Sequence, residues 1–318
     1  MSIDRPFFSV ILPVYNGQEY VRASVESVLS QEFSDFEFII WDDASSDASV
    51  SIISEYRDAR IRFFRNEQNC SLFPTLNKAL LQARGAFVKL WCQDDVMETF
   101  CLKEFAEFFH AHPHVPMVYC DVHVIGPRGD TIAPLKDDAT PEIIDPWLST
   151  QLLFYYGSIP GNIANVALSR KIFDEVGFFN EKLLLSGDFE KWIQISEKHA
   201  LGKISKPLVR LRSHRNQLSK AFQSGLIFMQ EEYLLCEILR KRLAPGLTRF
   251  ALEYTWKQKY VQHMHYLIRC FLRGDFATVA CVYRHIQRET SFVPLLLWWL
   301  ISANGRLFSV QPRFVNTP

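Results

Sequence analysis

The chain has 318 residues, 48% of them apolar, and its 35 lysines and arginines are matched by 35 aspartates and glutamates. That size and apolar content fill one large core, or a core with an appendage, which excludes a disordered chain. A formal net charge of zero removes the long-range attraction of a dedicated nucleic-acid binder, so no nucleic acid is expected as partner, and small or uncharged partners fit better.

Residues 7–14, FFSVILPV, form a continuous apolar run ended by Pro13 and the turn residues Asn16 and Gly17, the pattern of a strand buried on both faces in a parallel sheet. Tyr20 to Gln31 then places Tyr20, Val21, Ser24, Val25, Val28 and Leu29 at helical spacing, and Phe36 to Trp41 is a second strand. The alternation continues with a helix near 49–56, a strand at 61–64, a helix near 72–83 and the strand that ends in Lys89-Leu90-Trp91-Cys92-Gln93-Asp94-Asp95. Strands alternating with short helices indicate an open α/β sheet whose ligand crevice lies beyond the carboxyl ends of its strands. Tyr15, the pair Asp42-Asp43 and the pair Asp94-Asp95 all fall at those ends.

Residues 127–147 read as a long loop or short hairpin, with Pro134, Pro141 and Pro146 among Asp and Thr. An apolar segment resumes from Asn162 to Arg170, a helix with Phe189, Trp192, Ile193 and Ser196 on one face follows, and Leu208 to Leu211 is a last short strand. Beyond about residue 220 the pattern becomes helical, with breaks expected at Pro245-Gly246, Gly274 and Pro294. This divides the chain into residues 1–220, an α/β domain, and 221–318, a helical region.

No stretch reaches the roughly 18 to 20 apolar residues that span a bilayer. The nearest, Phe292 to Ala303, is either a buried helix or an interfacial one that lays Trp298 and Trp299 at the headgroups, which allows peripheral membrane contact through the C-terminal helices. Seven cysteines without a CxxC pair and an N-terminus without a secretory pattern lead to the expectation of a reduced, cytoplasmic protein.

The crevice of such a sheet commonly takes a nucleotide, yet PVYNG offers neither a dinucleotide-binding glycine pattern nor a phosphate loop. A bound diphosphate would then need a cation held on carboxylates, and Asp94-Asp95 offers them; a solvated turn is the simpler reading of that pair in isolation. Asp42-Asp43 in WDDASSD either receives a nucleobase or ribose, beside the Tyr15 ring, or closes a turn that caps the next helix.

Taken together, VILPVYNG, the strand ending in DDASSD, the spacing from Asn69 to Asn77, CQDD, and VGFFNEKLLLSGDFEKW resemble the inverting family 2 glycosyltransferases, over about residues 6–220. The resemblance implies the GT-A nucleotide-diphospho-sugar transferase fold, a Rossmann-like open sheet, with a C-terminal helical extension. It implies transfer of a sugar from a nucleotide-diphosphate donor, a UDP-sugar, to a saccharide or lipid-linked saccharide acceptor, in surface polysaccharide assembly. By the same resemblance Pro13, Tyr15, Asp43, Asn77 and Asp94 would contact the donor, Asp95 and His214 would hold Mn2+ or Mg2+, and Asp188 would be the catalytic base; Arg212, close by in sequence, could pair with the diphosphate through its guanidinium. Two positions depart from the family pattern: Cys92 stands where many members have Asp, and Gly187 where Glu often precedes the base, leaving Glu190 as the nearest other carboxylate. Taken locally, Asp188 also suits a helix N-cap, His214 a solvated loop, and Arg210 and Arg212 surface charges. A polyprenyl-phosphate sugar transferase and a non-catalytic nucleotide-sugar-binding scaffold are the competing readings.

Overall fold

The computed structural model describes residues 5–133, 140–217, 224–255, 257, 260–289, 291–301 and 314. In chain order its elements are β1 (Phe8–Val14), α1 (Val21–Leu29), β2 (Phe36–Asp42), α2 (Ser49–Ile53), β3 (Ile61–Arg65), α3 (Leu72–Gln82), β4 (Phe87–Leu90), β5 (Val96–Met97), α4 (Cys101–Ala111), β6 (Met117–Ile125), β7 (Thr131–Ala133) and β8 (Ile143–Ile144). They continue with α5 (Pro146–Tyr156), β9 (Val166–Ser169), α6 (Ile172–Val176), α7 (Gly187–Ser196), β10 (Leu201–Arg212), α8 (Ser224–Arg242), α9 (Thr248–Tyr254), α10 (Tyr260–Leu272), α11 (Phe276–Glu289) and α12 (Phe292–Ile301).

The first compact unit comprises residues 1–149 and 158–217. Its sheet runs β3-β2-β1-β4-β9-β6-β10-β5, with β7 on β6 and β8 on β10. β1 lies between β2 and β4, parallel to both, so it needs apolar side chains on both faces, and all its residues but Pro13 are buried. On one face Val21, Val25 and Val28 of α1 and Leu102, Phe105 and Phe109 of α4 join Val10, Leu12, Phe38, Ile40 and Trp91 in a single core. Each such side chain contributes about 1.5–3 kcal/mol on burial.

The sheet is mixed, not parallel throughout as expected. β9 runs antiparallel to both β4 and β6, so the chain enters β9 from the edge where β4 ends. Lys89 secures this arrangement: fully buried, it donates from Nζ to Leu90 O at 3.0 Å, to Val166 O at 3.4 Å and to Ala164 O. Three carbonyls replace the water the ammonium loses, and burial still holds its pKa below the usual lysine value.

Three further differences have local causes. The last strand is not the short Leu208–Leu211 piece but the 12-residue β10, whose register shifts on either side of Pro207, where the missing N–H is tolerated. Helix α4 and strand β6 stand between β4 and the 127–147 region, which itself holds β7, β8 and the start of α5, while the expectation for residues 134–139 lies outside the described residues. Pro294 is no break: it sits in the first turn of α12, where its missing N–H costs nothing.

The second unit comprises residues 150–157 and 218–318. Met264, Cys270, Val282, Ile286 and Leu295 form its interior, and Tyr254 donates its hydroxyl to Tyr155 O at 2.9 Å. The chain breaks at Pro245-Gly246 and Gly274 as expected. On α12, Leu295 is buried while Val293, Leu297, Leu300 and Ile301 are exposed. Among the described residues no helix is long and apolar enough to cross a membrane.

Candidate active site

The carboxyl edge of β1, β2 and β4 is a set of loops laced together by side chains. Gln93 accepts from Tyr15 N at 2.9 Å and donates to Tyr15 O at 3.0 Å, which joins the β1 end to the β4 end. Gly17 makes room for this clip, since a Cβ there would stand 2.5 Å from Gln93 Oε1. Asn16 N and Gly17 N donate to Ser45 and Ser49, and Gln18 N donates to Asp47. Among the described residues the non-glycine positions with left-handed φ are Asn16, Ala44 and Ser71, all in loops of this edge. Such conformations persist only where surrounding contacts impose them, and they cluster at functional sites.

Pro13 and Tyr15 lie where expected, Pro13 within β1 and Tyr15 just past its end with an exposed ring. The two carboxylates after β2 divide their work. Asp42 Oδ2 closes the turn by accepting from Ser45 N at 3.0 Å and meets Arg65 Nε at 3.1 Å. Asp43, also buried, accepts on Oδ1 from Asn66 Nδ2 at 2.7 Å and Cys70 N at 2.8 Å.

Beyond β4 the chain reverses through Cys92-Gln93-Asp94-Asp95. Ser24 of α1 fixes the base of this loop, donating to Cys92 O and accepting from Trp91 Nε1, both at 2.8 Å. Asp95 is 1% exposed; its Oδ1 accepts from Arg212 N at 2.8 Å, and its Oδ2 is buried without a hydrogen-bond partner. Burial first, and then the neighbouring Asp94 charge, raise its pKa well above the carboxylate range. Asp94 is the more accessible of the two, and His214 Nε2 stands 2.9 Å from its Oδ2. Donor atoms of Cys92, Asp94 and Asp95 all lie within 4.8 Å of one another.

This set fits a divalent cation. An orphaned buried carboxylate oxygen beside a second carboxylate is a costly arrangement that a hard cation relieves. Cys92 is the weaker donor, because burial and then the two aspartates push its thiol pKa up and its Sγ–H points to Asn162 Oδ1 at 3.1 Å. His214 sits against the carboxylate, and its Nδ1 is buried without a partner.

Two of the expected donor contacts, Arg212 and Asn77, have their polar groups engaged within the protein. Arg212 spends its guanidinium on the protein, with Nε on Asp94 O at 2.9 Å and Nη1 on Gly126 O and Pro127 O at 3.1 and 2.9 Å. The Tyr20 ring covers it at 4.7 Å and also packs on His214 at 4.8 Å. Arg212 therefore braces the carboxylate loop. Arg210 pairs with Glu98. Asn77 is likewise engaged, accepting from Phe179 N at 2.9 Å and donating to Phe179 O and Glu181 Oε1; it pins the segment that leads to α7.

Asp188 is not an N-cap, since Ser186 occupies that position and α7 begins at Gly187. It lies in the first turn, where its Oδ1 accepts from Phe189 N at 2.7 Å, a placement favourable to a carboxylate. At Gly187 a Cβ would meet the Phe73 ring at 2.8 Å, so that position has little room for a side chain. Glu190 is bound to Asn180.

The residues that organise the site but escaped the sequence reading are Gln93, Asn66, Asn162 and Tyr20. Each acts through contacts with residues distant in sequence, and although Gln93 lies within CQDD, that motif does not reveal its clip onto Tyr15.

The family model described as Glycosyl transferase family 2 matches residues 9–177. A Rickettsia felis protein named as an uncharacterized glycosyltransferase is 26% identical over 224 residues, covering 69% of this chain and 36% of that protein. Bacillus subtilis TuaG, provisionally named a teichuronic acid biosynthesis glycosyltransferase, is 37% identical over 106 residues, 33% of this chain and 42% of its own. The matched segments thus cover less than half the length of either relative. Staphylococcus aureus TarS 1-349, solved with UDP-GlcNAc, superposes with a TM-score of 0.60 at 20% identity, covering 94% of this chain and 88% of that one. That likeness shows a shared GT-A fold.

Proposed function

The chain belongs to glycosyl transferase family 2, and on that premise we propose that it is an inverting enzyme that moves a sugar from a nucleotide-diphosphate donor to an acceptor hydroxyl. The observation that carries the reading is the Asp94-Asp95 pair, braced by Arg212 and holding one buried, unpartnered carboxylate oxygen. In this proposal Asp43 and the exposed Tyr15 ring receive the nucleoside, with Pro13 lining the floor.

Asp94 and Asp95 would hold Mn2+ or Mg2+, which supplies positive charge opposite the departing diphosphate. In this proposal the more accessible Asp94 joins Asp95 as a ligand, and His214, expected in the ligand set itself, instead orients Asp94 because its Nε2 is directed at Asp94 Oδ2. Asp188, on a helix separate from that loop, takes the proton of the acceptor hydroxyl as its oxygen attacks the anomeric carbon. A cavity of about 250 Å³ lies beside the Asn162 turn, its lining including Asp121 and Asn165, and is a candidate acceptor or sugar pocket.

The UDP-GlcNAc held by the TarS structure supports a UDP-sugar donor, and the TuaG name supports an acceptor in surface polysaccharide assembly. Residues 1–220 would form the catalytic domain. The helices of 221–318 would bind the acceptor or rest on a membrane, to which the exposed apolar side chains of α12 would contribute.

A nucleotide-release assay over a panel of nucleotide sugars with manganese and saccharide acceptors tests this function. An active pair should be found, and Asp188→Asn should lower its turnover by about 10²- to 10⁴-fold while donor binding persists. Full turnover in Asp188→Asn would remove that residue from the chemistry.

A further inference from the structure

The opposite edge of the same sheet gathers positive charge that the transfer reaction does not use. Arg5 precedes β1, Arg60 and Arg62 stand at the start of β3, and Arg84 precedes β4; Arg170 follows β9, which the antiparallel course of that strand brings to this edge. All five line a cavity of about 780 Å³ in which Glu37 is the one carboxylate. Strands of up to seven residues separate it from the carboxyl edge by about 20 Å.

Glu37 cannot neutralise this set. Its oxygens are taken by Arg62 Nη1 at 2.5 Å and by Ser9 Oγ and Arg84 N, each at 2.6 Å. Arg60 pairs with Asp58, and Arg5 donates only to the neutral carbonyls of Arg84 and Gly85. Among the described residues the guanidinium groups of Arg84 and Arg170 have no hydrogen-bond partner, and Arg170 Nε is buried without one. A buried unpaired charged donor is expensive, and the chain as a whole has no excess of positive charge that would make such clustering incidental.

We propose that this cavity binds a phosphate group, held by Arg84 and Arg170 within the field of Arg5, Arg60 and Arg62. Planar guanidinium groups match phosphate oxygens two at a time, and several of them suit a doubly charged anion better than a carboxylate. The open groove leaves room beside the arginines for the remainder of a phosphorylated molecule. Two sources share that chemistry: a soluble phosphorylated compound and an anionic lipid headgroup.

The full-length chain is titrated with pyrophosphate in EDTA, which silences any cation-dependent phosphate binding at Asp94-Asp95. Pyrophosphate should raise the melting temperature, and calorimetry should show affinity falling about tenfold or more in Arg84→Gln and further in Arg84→Gln/Arg170→Gln. Arg84 is exposed, so the single variant keeps the fold intact. Sedimentation with phosphatidylglycerol vesicles against phosphatidylcholine vesicles is the second arm. Charge-dependent vesicle binding lost in the double variant assigns the lipid source, and pyrophosphate binding alone assigns the soluble one. No binding in either arm, or binding that both variants retain at full strength, overturns the proposal.

Discussion

His214 Nε2 lies 2.9 Å from Asp94 Oδ2, although the two residues are 120 positions apart in the chain. The Tyr20 ring packs on that imidazole, and Arg212, two residues earlier, holds the Asp94 carbonyl. The carboxylate is thus oriented from behind by a histidine whose own position is fixed. Replacing His214 with Ala should weaken manganese-dependent donor binding by about tenfold to a hundredfold with little change in melting temperature. Calorimetry with UDP and Mn2+ measures the first, and a thermal melt the second.

Arg212 presents a different expectation. Arg212→Lys keeps the charge but cannot reach Asp94 O, Gly126 O and Pro127 O together, and it loses the stacking on Tyr20. Leaving the buried Gly126 carbonyl and the two part-buried ones unsatisfied should cost about 1–3 kcal/mol of stability. Urea denaturation of wild type and variant reads this directly, and a loss below about 0.5 kcal/mol, the scatter of neutral surface changes, would contradict the bracing role.

Asn77 separates a structural from a ligand-binding role. Its three hydrogen bonds all go to Phe179 and Glu181. Asn77→Ala should therefore lower stability by about 2–3 kcal/mol while leaving UDP affinity within about twofold of wild type. A large loss of affinity with unchanged stability would return Asn77 to the donor site.

Lys191 of α7 gives a pH signature. Fully buried, it donates to Val176 O, Gly177 O and Gln194 Oε1, and burial pulls its pKa from 10.5 to about 8. The unfolded chain then holds more protons between about pH 8 and 10.5, so this residue makes stability rise with pH across that window and contributes no slope outside it. Lys191→Met should flatten the rise, as denaturation curves collected at several pH values would show.

The parts of the fold that were legible in the sequence are those set by neighbours along the chain. The apolar run of β1, the helical spacing of α1 and the carboxylates beyond β4 each follow from contiguous residues, and so does the placement of the crevice at their carboxyl ends. β9 was not legible as antiparallel, because strand direction depends on the path from residue 111 to 166, which has no βα alternation. β10 was only partly legible, since Lys203, Lys206 and Pro207 interrupt its apolar pattern while its partners β6 and β5 maintain it. In the site, the types of residue could be read but not their duties. Arg212 and Asn77 carry groups suited to a ligand, and only the fold shows that carbonyls and backbone amides more than 80 residues away already engage them.

The claim on which the function rests is that Asp94-Asp95 meets a nucleotide diphosphate through a divalent cation. Titration of UDP into the wild type with and without Mn2+, repeated with Asp94→Asn, tests it most directly. We expect manganese to tighten UDP binding in the wild type by about tenfold or more and to have no effect in the variant. Equal UDP affinity in all four titrations would contradict it.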